Sequence, residues 1–372
     1  MKALFIAGHE FLYNPQNGGQ KCSLRNYRLL QQSLGEENVY LCMFSNHQYN
    51  NLTSNEMIYP TYKNNIEMFF NVLFLLNVCN KQTAKKVRKD ICRLDIDFIF
   101  VDSSTIGYLI EKLDLKKPII CFFHNIEVNY AWNKYKHEGK KYIIAYLSYK
   151  YNEKCAAKIA NRIILLNKRD QKEMERLYQR KADLFLPITF DDEFNPQKVR
   201  KQSHEKVELL FVGSFFKPNV EGLLWFINEV MTQLDKNKYI LRIVGKNLET
   251  LKETITVDNI DVIGTVDDLS QYYYEADAVV IPIFYGDGMK VKTAEAMMFG
   301  KNIIATDEAL EGYTTCEGIY RVNTVMEFIH AIENIKLETS MLNNEVRNNF
   351  LLYYETNKLS SKFKSMINEI NL

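Results

Sequence analysis

Several common scaffolds are excluded by what this chain lacks. Its seven cysteines are an odd number with no Cys-x-x-Cys pair among them, so neither a disulfide framework nor a zinc site is indicated, and a reducing compartment, the cytoplasm, is expected. Net charge is nearly absent: 47 Lys and Arg against 46 Asp and Glu leave +1, without the basic surplus expected of a nucleic-acid partner. Long apolar runs are missing too. Ala3 to Ala7 is stopped by Gly8-His9-Glu10, too short for a signal-peptide core. Ile66 to Cys79 is interrupted by Glu67, Asn71 and Asn77 and falls short of the ~20 residues of a spanning helix. No Gly-x-Gly-x-x-Gly turn comes after the first apolar run, which counts against a nicotinamide-dependent dehydrogenase. No short repeat or low-complexity tract is present.

What is present is a long alternation. Apolar runs at Ala3 to Ala7, Val39 to Phe44, Phe98 to Val101, Ile119 to Phe123, Arg162 to Leu166 and Asp183 to Leu186 are separated by segments of helical period. This is the signature of βαβ units on a parallel sheet whose strands are buried on both faces. After a stretch rich in proline and acid, Pro187 to Pro196, the rhythm restarts at Val207 to Val212, Ile240 to Val244, Asp261 to Ile263, Ala278 to Ile283, Ile303 to Ala305 and Ile319 to Val322. A chain of 372 residues exceeds what one core usually serves, so two domains are expected: residues 1–190, residues 205–345, and a closing helix over 346–372 that packs on a neighbour. The fold class is α/β, two Rossmann-like domains facing across a central cleft, with chemistry in the loops after the strands.

One such loop carries most of the chemistry. Gly286-Asp287-Gly288-Met289-Lys290-Val291-Lys292 precedes Thr293-Ala294-Glu295-Ala296-Met297-Met298-Phe299-Gly300. Glycines allow a phosphate to approach the backbone, and a helix beginning near Lys290 would aim free N–H groups and a positive dipole at it. Two lysines beside a helix start cost about 0.3–1 kcal/mol each unless an anion is present. Glu295 lies where a carboxylate can accept from a ribose diol; read alone, it is equally a solvated helix residue.

This string resembles the donor-site signature of family 4 (group 1) nucleotide-sugar glycosyltransferases of the GT-B fold. The resemblance implies that Glu295 holds the ribose, that Lys290 or Lys292 meets the diphosphate, and that the backbone around Gly288, Met289 and Val291 meets phosphate or sugar. The family's acidic pair corresponds to Asp287 and Glu295, with aspartate in place of the more common glutamate. The resemblance continues upstream through Phe211 to Val220, which contains Gly213 and Lys217. It also takes in Val262-Ile263-Gly264-Thr265-Val266 with Asp267 after it, similar to the stretch that receives the nucleobase. In the first half it rests on Asn17-Gly18-Gly19-Gln20 and on His124-Asn125-Ile126-Glu127. Gly18 and Gly19 would reach the donor phosphate; His124, Asn125 and Glu127 would lie on the acceptor side, with His124, Lys290 and Asp287 as the catalytic set.

For function, the resemblance implies retaining transfer of a sugar from a nucleoside diphosphate such as UDP to a glycan, lipid-linked or protein-linked acceptor, in bacterial surface glycan synthesis. No metal and no cofactor are expected, since the nucleotide sugar is a substrate and no Asp-x-Asp motif stands in a suitable loop. Departure and attack would occur on one face of the sugar, the donor phosphate helping to deprotonate the acceptor. The segment from Tyr130 to Lys158 mixes tyrosines, Trp132 and lysines. It reads either as a basic aromatic surface in peripheral contact with the inner face of the membrane or as a solvated helix face. Two other readings stay open: a catalytically silent GT-B subunit that stabilises a partner transferase, and a nucleotide-sugar epimerase.

Overall fold

The computed structural model describes residues 1–12, 15, 18–199, 205–286, 288–335 and 341–371. The chain divides into two compact units, Met1–Pro187 with Ser360–Leu372, and Ile188–Leu359.

In the first unit the strands are β1 (Ala3–Ala7), β2 (Val39–Phe44), β3 (Glu56–Tyr59), β4 (Phe98–Asp102), β5 (Ile119–Phe123), β6 (Arg162–Leu165) and β7 (Leu184–Phe185). They form one sheet in the order β3-β2-β1-β4-β5-β6-β7. All neighbours are parallel, with Ala3 opposite both Val39 and Phe98. β1 and β4 are buried at every position, because each face is covered. Leu4 and Ile6 join one apolar layer with Val101 and Phe123, while Phe5 stacks on Phe100 at 5.2 Å on the other. Phe363, near the chain's end, meets Phe100 edge-on at 5.9 Å, which explains why the last residues belong to this unit.

The second unit repeats the plan with β8 (Val207–Val212), β9 (Tyr239–Val244), β10 (Ile260–Gly264), β11 (Ala278–Ile281), β12 (Asn302–Ala305) and β13 (Ile319–Arg321). The order β10-β9-β8-β11-β12-β13 is again parallel throughout. Helix starts are fixed by side-chain caps in both units. Asn64, Asn80 and Asn167 accept from the backbone N–H three residues on, and Thr324 forms a reciprocal capping box with Glu327, each worth about 1 kcal/mol.

The structure departs from the sequence expectation at three places. β3, absent from that expectation, extends the first sheet at its edge. The closing segment is two helices, Asn344–Tyr353 and Thr356–Asn368. The break falls where Glu355 bridges to Phe190 and the Tyr354 hydroxyl accepts from the Thr314 N–H at 2.7 Å. The proline-rich stretch after Pro187 is packed, not free: Asp192 pairs with Arg347, and the Asn195 N–H donates to the Tyr274 hydroxyl at 2.6 Å.

Candidate active site

Parallel sheets place the loops after their strands along one edge, and the polar residues of the first unit collect there. β1 runs into His9, β4 ends on Asp102 and β5 runs into His124; these three strands are neighbours. The helix Gly18–Leu34 adds buried Ser23 and Asn26. Asp102 is fully enclosed and accepts from the Ser23 hydroxyl and from Asn26 Nδ2 at 2.6 Å. His124 Nε2 lies 2.9 Å from the Asp102 carbonyl oxygen and 3.2 Å from its Oδ2, so this nitrogen carries a proton and donates. Ser23 Oγ is 2.8 Å from His9 Nε2. The two imidazoles stand 5.3 Å apart.

Burial would hold His124 neutral, but the Asp102 carboxylate and the Cys22 thiol outweigh it and raise its pKa well above the usual histidine value. His9 moves the other way, lowered by burial and by the neighbouring His124 charge. The pair is therefore one imidazolium and one neutral ring. Asp102 stays ionised despite its burial because His124, His9 and Ser23 favour the carboxylate. His9, Asp102 and His124 offer ligand atoms within 4.8 Å of one another, a spacing open to a metal ion. The proton on His124 Nε2, however, is one that a ligand nitrogen would have lost.

A cavity of about 340 Å³ opens beside this cluster, lined by Gly8, His9, Ser45, His47, Tyr62 and Asn77 among others. His9 faces it; His124 does not line it. A larger pocket of about 570 Å³ includes Glu36, Val39 and Glu56, at the opposite, amino ends of β2 and β3. Gly18 and Gly19 open the helix that carries Ser23, and the Gly19 backbone hydrogen-bonds His9; Asn17 lies outside the described residues. Asn125 Nδ2 reaches Glu127 Oε1 only at 3.5 Å.

In the second unit the loop after β11 leads into the helix Val291–Met298, with Lys290 at its cap position. Gly286 and Gly288 have φ of 147° and 68°, a region that side chains resist. Lys290 Nζ pairs with Glu308 Oε1 at 2.6 Å and donates to the Gly288 carbonyl at 2.9 Å. Its own carbonyl accepts from the Tyr313 hydroxyl at 2.8 Å. Lys292 Nζ donates to Asn219 Oδ1 at 2.8 Å and lies 4.8 Å from the Phe211 ring centre. A side chain at Gly213 would meet that ammonium at 3.1 Å, so glycine there makes room for Lys292. Burial pulls the Lys292 pKa down to about 7. Glu295 Oε2 accepts from the Tyr273 hydroxyl at 3.2 Å.

Lys290, Lys292, Glu295, Gly213 and Gly288 thus share one end of this sheet, with Met289 buried and Val291 half-buried beside them. Ile263 lies on the outer strand β10 and is also half-buried. Lys217 is not drawn in: it is half exposed and pairs with Glu221 at 3.8 Å. Asp287 lies outside the described residues. The sequence pattern alone does not single out His9, Ser23, Asn26, Asp102, Asn219 or Glu308. The one available signal is Asp102, the single charged residue closing the apolar run Phe98 to Val101.

Residues 206–336 match the family model of group 1 glycosyl transferases. No curated protein matches the sequence. Among solved structures, the sucrose-phosphate synthase of Thermosynechococcus elongatus superimposes with a TM-score of 0.75 at 14% identity, covering 100% of this chain and 99% of that one. The Anabaena protein HepE in complex with UDP and glucose gives 0.71 at 12% identity, with 99% of each chain covered. A UDP-forming trehalose-phosphate synthase from Burkholderia xenovorans gives 0.64 at 12% identity over 100% of both.

Proposed function

We propose that the chain is a group 1 glycosyltransferase of the GT-B fold that moves a sugar from a nucleoside diphosphate, UDP first among the candidates, to a glycan or lipid-linked acceptor without a metal ion. The carrying observation is the convergence of Lys290, Lys292 and Glu295 with Gly213 and Gly288 at one end of the second sheet. The Lys290 ammonium, the Lys292 amine, which a bound diphosphate would favour in its charged form, and a helix start make a positive environment for a leaving diphosphate, and the Glu295 carboxylate suits a ribose diol. HepE's complexes with UDP and with UDP-glucose support the choice of nucleotide.

The acceptor falls to the first unit. His9 faces the 340 Å³ cavity and, with the charged His124 held behind it by Asp102, forms a polar wall against which the acceptor would lie. The bond from the anomeric carbon to the diphosphate oxygen breaks, the bond to the acceptor oxygen forms, and the acceptor's proton passes to the departing phosphate. Attack on the face the diphosphate leaves retains the anomeric configuration. The work is cytoplasmic and belongs to bacterial surface glycan synthesis, with the basic aromatic segment from Tyr130 to Lys158 touching the inner face of the membrane; no helix among the described residues is long and apolar enough to cross one.

Incubation with UDP-sugars and simple glycan acceptors, with and without EDTA, tests this reading. UDP release and a product that keeps the donor's anomeric configuration by NMR, unchanged by EDTA, are expected. Inversion, or activity abolished by EDTA and restored by a divalent ion, would refute the corresponding part.

A further inference from the structure

In a helix lying on a globular protein the apolar stripe ordinarily faces the core. The helix Asn65–Leu73 has no buried residue, and its stripe is turned outward. Ile66, Phe69, Phe70, Leu73 and Phe74, spaced i, i+3, i+4, i+7 and i+8, are 70%, 47%, 55%, 49% and 54% exposed. Glu67, Asn71 and Val72 take the half-buried positions instead. Glu67, the helix's one acid, is held by the Lys63 backbone N–H at 2.6 Å and by Asn80 Nδ2 at 2.7 Å, and Asn71 bonds back to the Glu67 carbonyl at 2.8 Å. A contiguous outward stripe of this kind marks an interaction surface.

The surroundings identify what covers it. Lys63 is exposed beside the helix start, and Lys81 lies with its ammonium 3.8 Å from the Phe74 ring centre. The stripe's helix packs on the helix Ile143–Ile159, which packs on Glu127–Glu138. These bring exposed Leu147 and Trp132 and exposed Lys140, Lys141 and Lys150. Over residues 127–159 seven lysines face three glutamates, and one of the three, Glu153, is fully buried. Exposed apolar side chains bordered by lysines, one of them over the face of the Phe74 ring, match the boundary between acyl chains and anionic headgroups. A second copy fits poorly, because a two-fold contact would set this lysine border against itself.

We propose that the Asn65–Phe74 stripe and its lysine border seat the chain on an anionic lipid bilayer. This extends the proposed membrane contact to the element that enters the lipid, and it does not depend on glycosyl transfer. The element also adjoins the acceptor cavity in the chain: Tyr62 and Asn77, which bracket the segment, both line it, so an acceptor carried by a lipid would meet the cavity beside its anchor.

Flotation of the full chain with phosphatidylcholine vesicles, with and without phosphatidylglycerol, tests the proposal. The wild type should float with the mixed vesicles, less so at high salt. Phe70→Ser with Leu73→Ser should weaken binding by more than about tenfold and keep the wild-type Tm. Phe70→Trp should retain binding. Absence of flotation by a folded wild type, or flotation unchanged in the double serine variant, overturns the proposal. So does a dimer in sedimentation velocity that the serine variant dissolves without any vesicle binding. A UDP-induced Tm shift measured on the same samples separates this outcome from failure of the transferase reading.

Discussion

His124 Nε2 points at two oxygens of one residue, the Asp102 carbonyl at 2.9 Å and its carboxylate at 3.2 Å, which fixes a charged imidazole at the end of β5 beside a neutral one, His9, at the end of β1.

Asp102→Asn removes the charge that holds His124 protonated, so burial returns the ring to its neutral form and the stability carried by the ionic pair is lost. The sign with pH is set by both partners. His124's raised pKa gives stability that is complete below its ordinary value of 6.5 and is lost as pH rises through the native value. Asp102's lowered pKa gives stability present above its ordinary 3.8 and lost as pH falls through the native one. The Tm difference between wild type and variant should therefore be greatest between those two ordinary values and shrink on either side. A gap that does not vary with pH would show that the pair is not ionic.

Lys292 predicts a proton signature. With its pKa near 7 the free protein holds this amine only partly charged at neutral pH, and a diphosphate beside it would favour the ammonium. Binding at a pH slightly above that value should take up protons, read as a calorimetric enthalpy that changes with the ionisation enthalpy of the buffer. Without ligand, the depressed pKa makes the native state bind fewer protons than the unfolded chain between about 7 and the ordinary 10.5, so this group's contribution to stability rises with pH there. Lys292→Met should remove both effects.

Glu295→Ala should weaken nucleotide binding by about 1–3 kcal/mol through the unpaired ribose hydroxyls. Pyrophosphate, used as a control, should lose little, since it lacks the ribose. Equal losses for both would assign Glu295 to the phosphates' surroundings instead.

Two glycines with positive φ separate packing from backbone strain. Gly245 has φ 135° and a Cβ there would come within 1.7 Å of the Gly213 carbonyl oxygen, whereas Gly139 has φ 103° and nothing within 4 Å. Gly139→Ala should cost about 1–3 kcal/mol, and Gly245→Ala clearly more, with loss of nucleotide binding because the Gly213 loop must move. Similar Tm losses for the two would contradict this assignment.

Much of the fold was legible because parallel strands covered on both faces read as continuous apolar runs, as Ala3 to Ala7 and Val207 to Val212 do. β3 escaped because Glu56-Met57-Ile58-Tyr59 is short, half-buried and comes after a polar stretch. The lysines and Glu295 were readable as one string because a single loop and helix carry them. Asp102, His9 and Ser23 were not, since they come from three separate parts of the chain and meet only when β1 and β4 pair. The outward face of the Asn65–Leu73 helix was hidden for a related reason: periodicity reveals a stripe but not the direction in which it is turned.

The most direct test of the central claim is a thermal-shift screen of the purified chain against UDP, GDP, dTDP and CMP, with and without EDTA, run in parallel on Lys290→Ala. A ligand that binds only the folded state raises Tm by mass action, by about 2.7 kcal/mol of stability at a hundred times its Kd. The expected result is a shift with one nucleoside diphosphate, indifferent to EDTA and abolished in the variant. No shift with any nucleotide in a protein shown to be folded would contradict the claim.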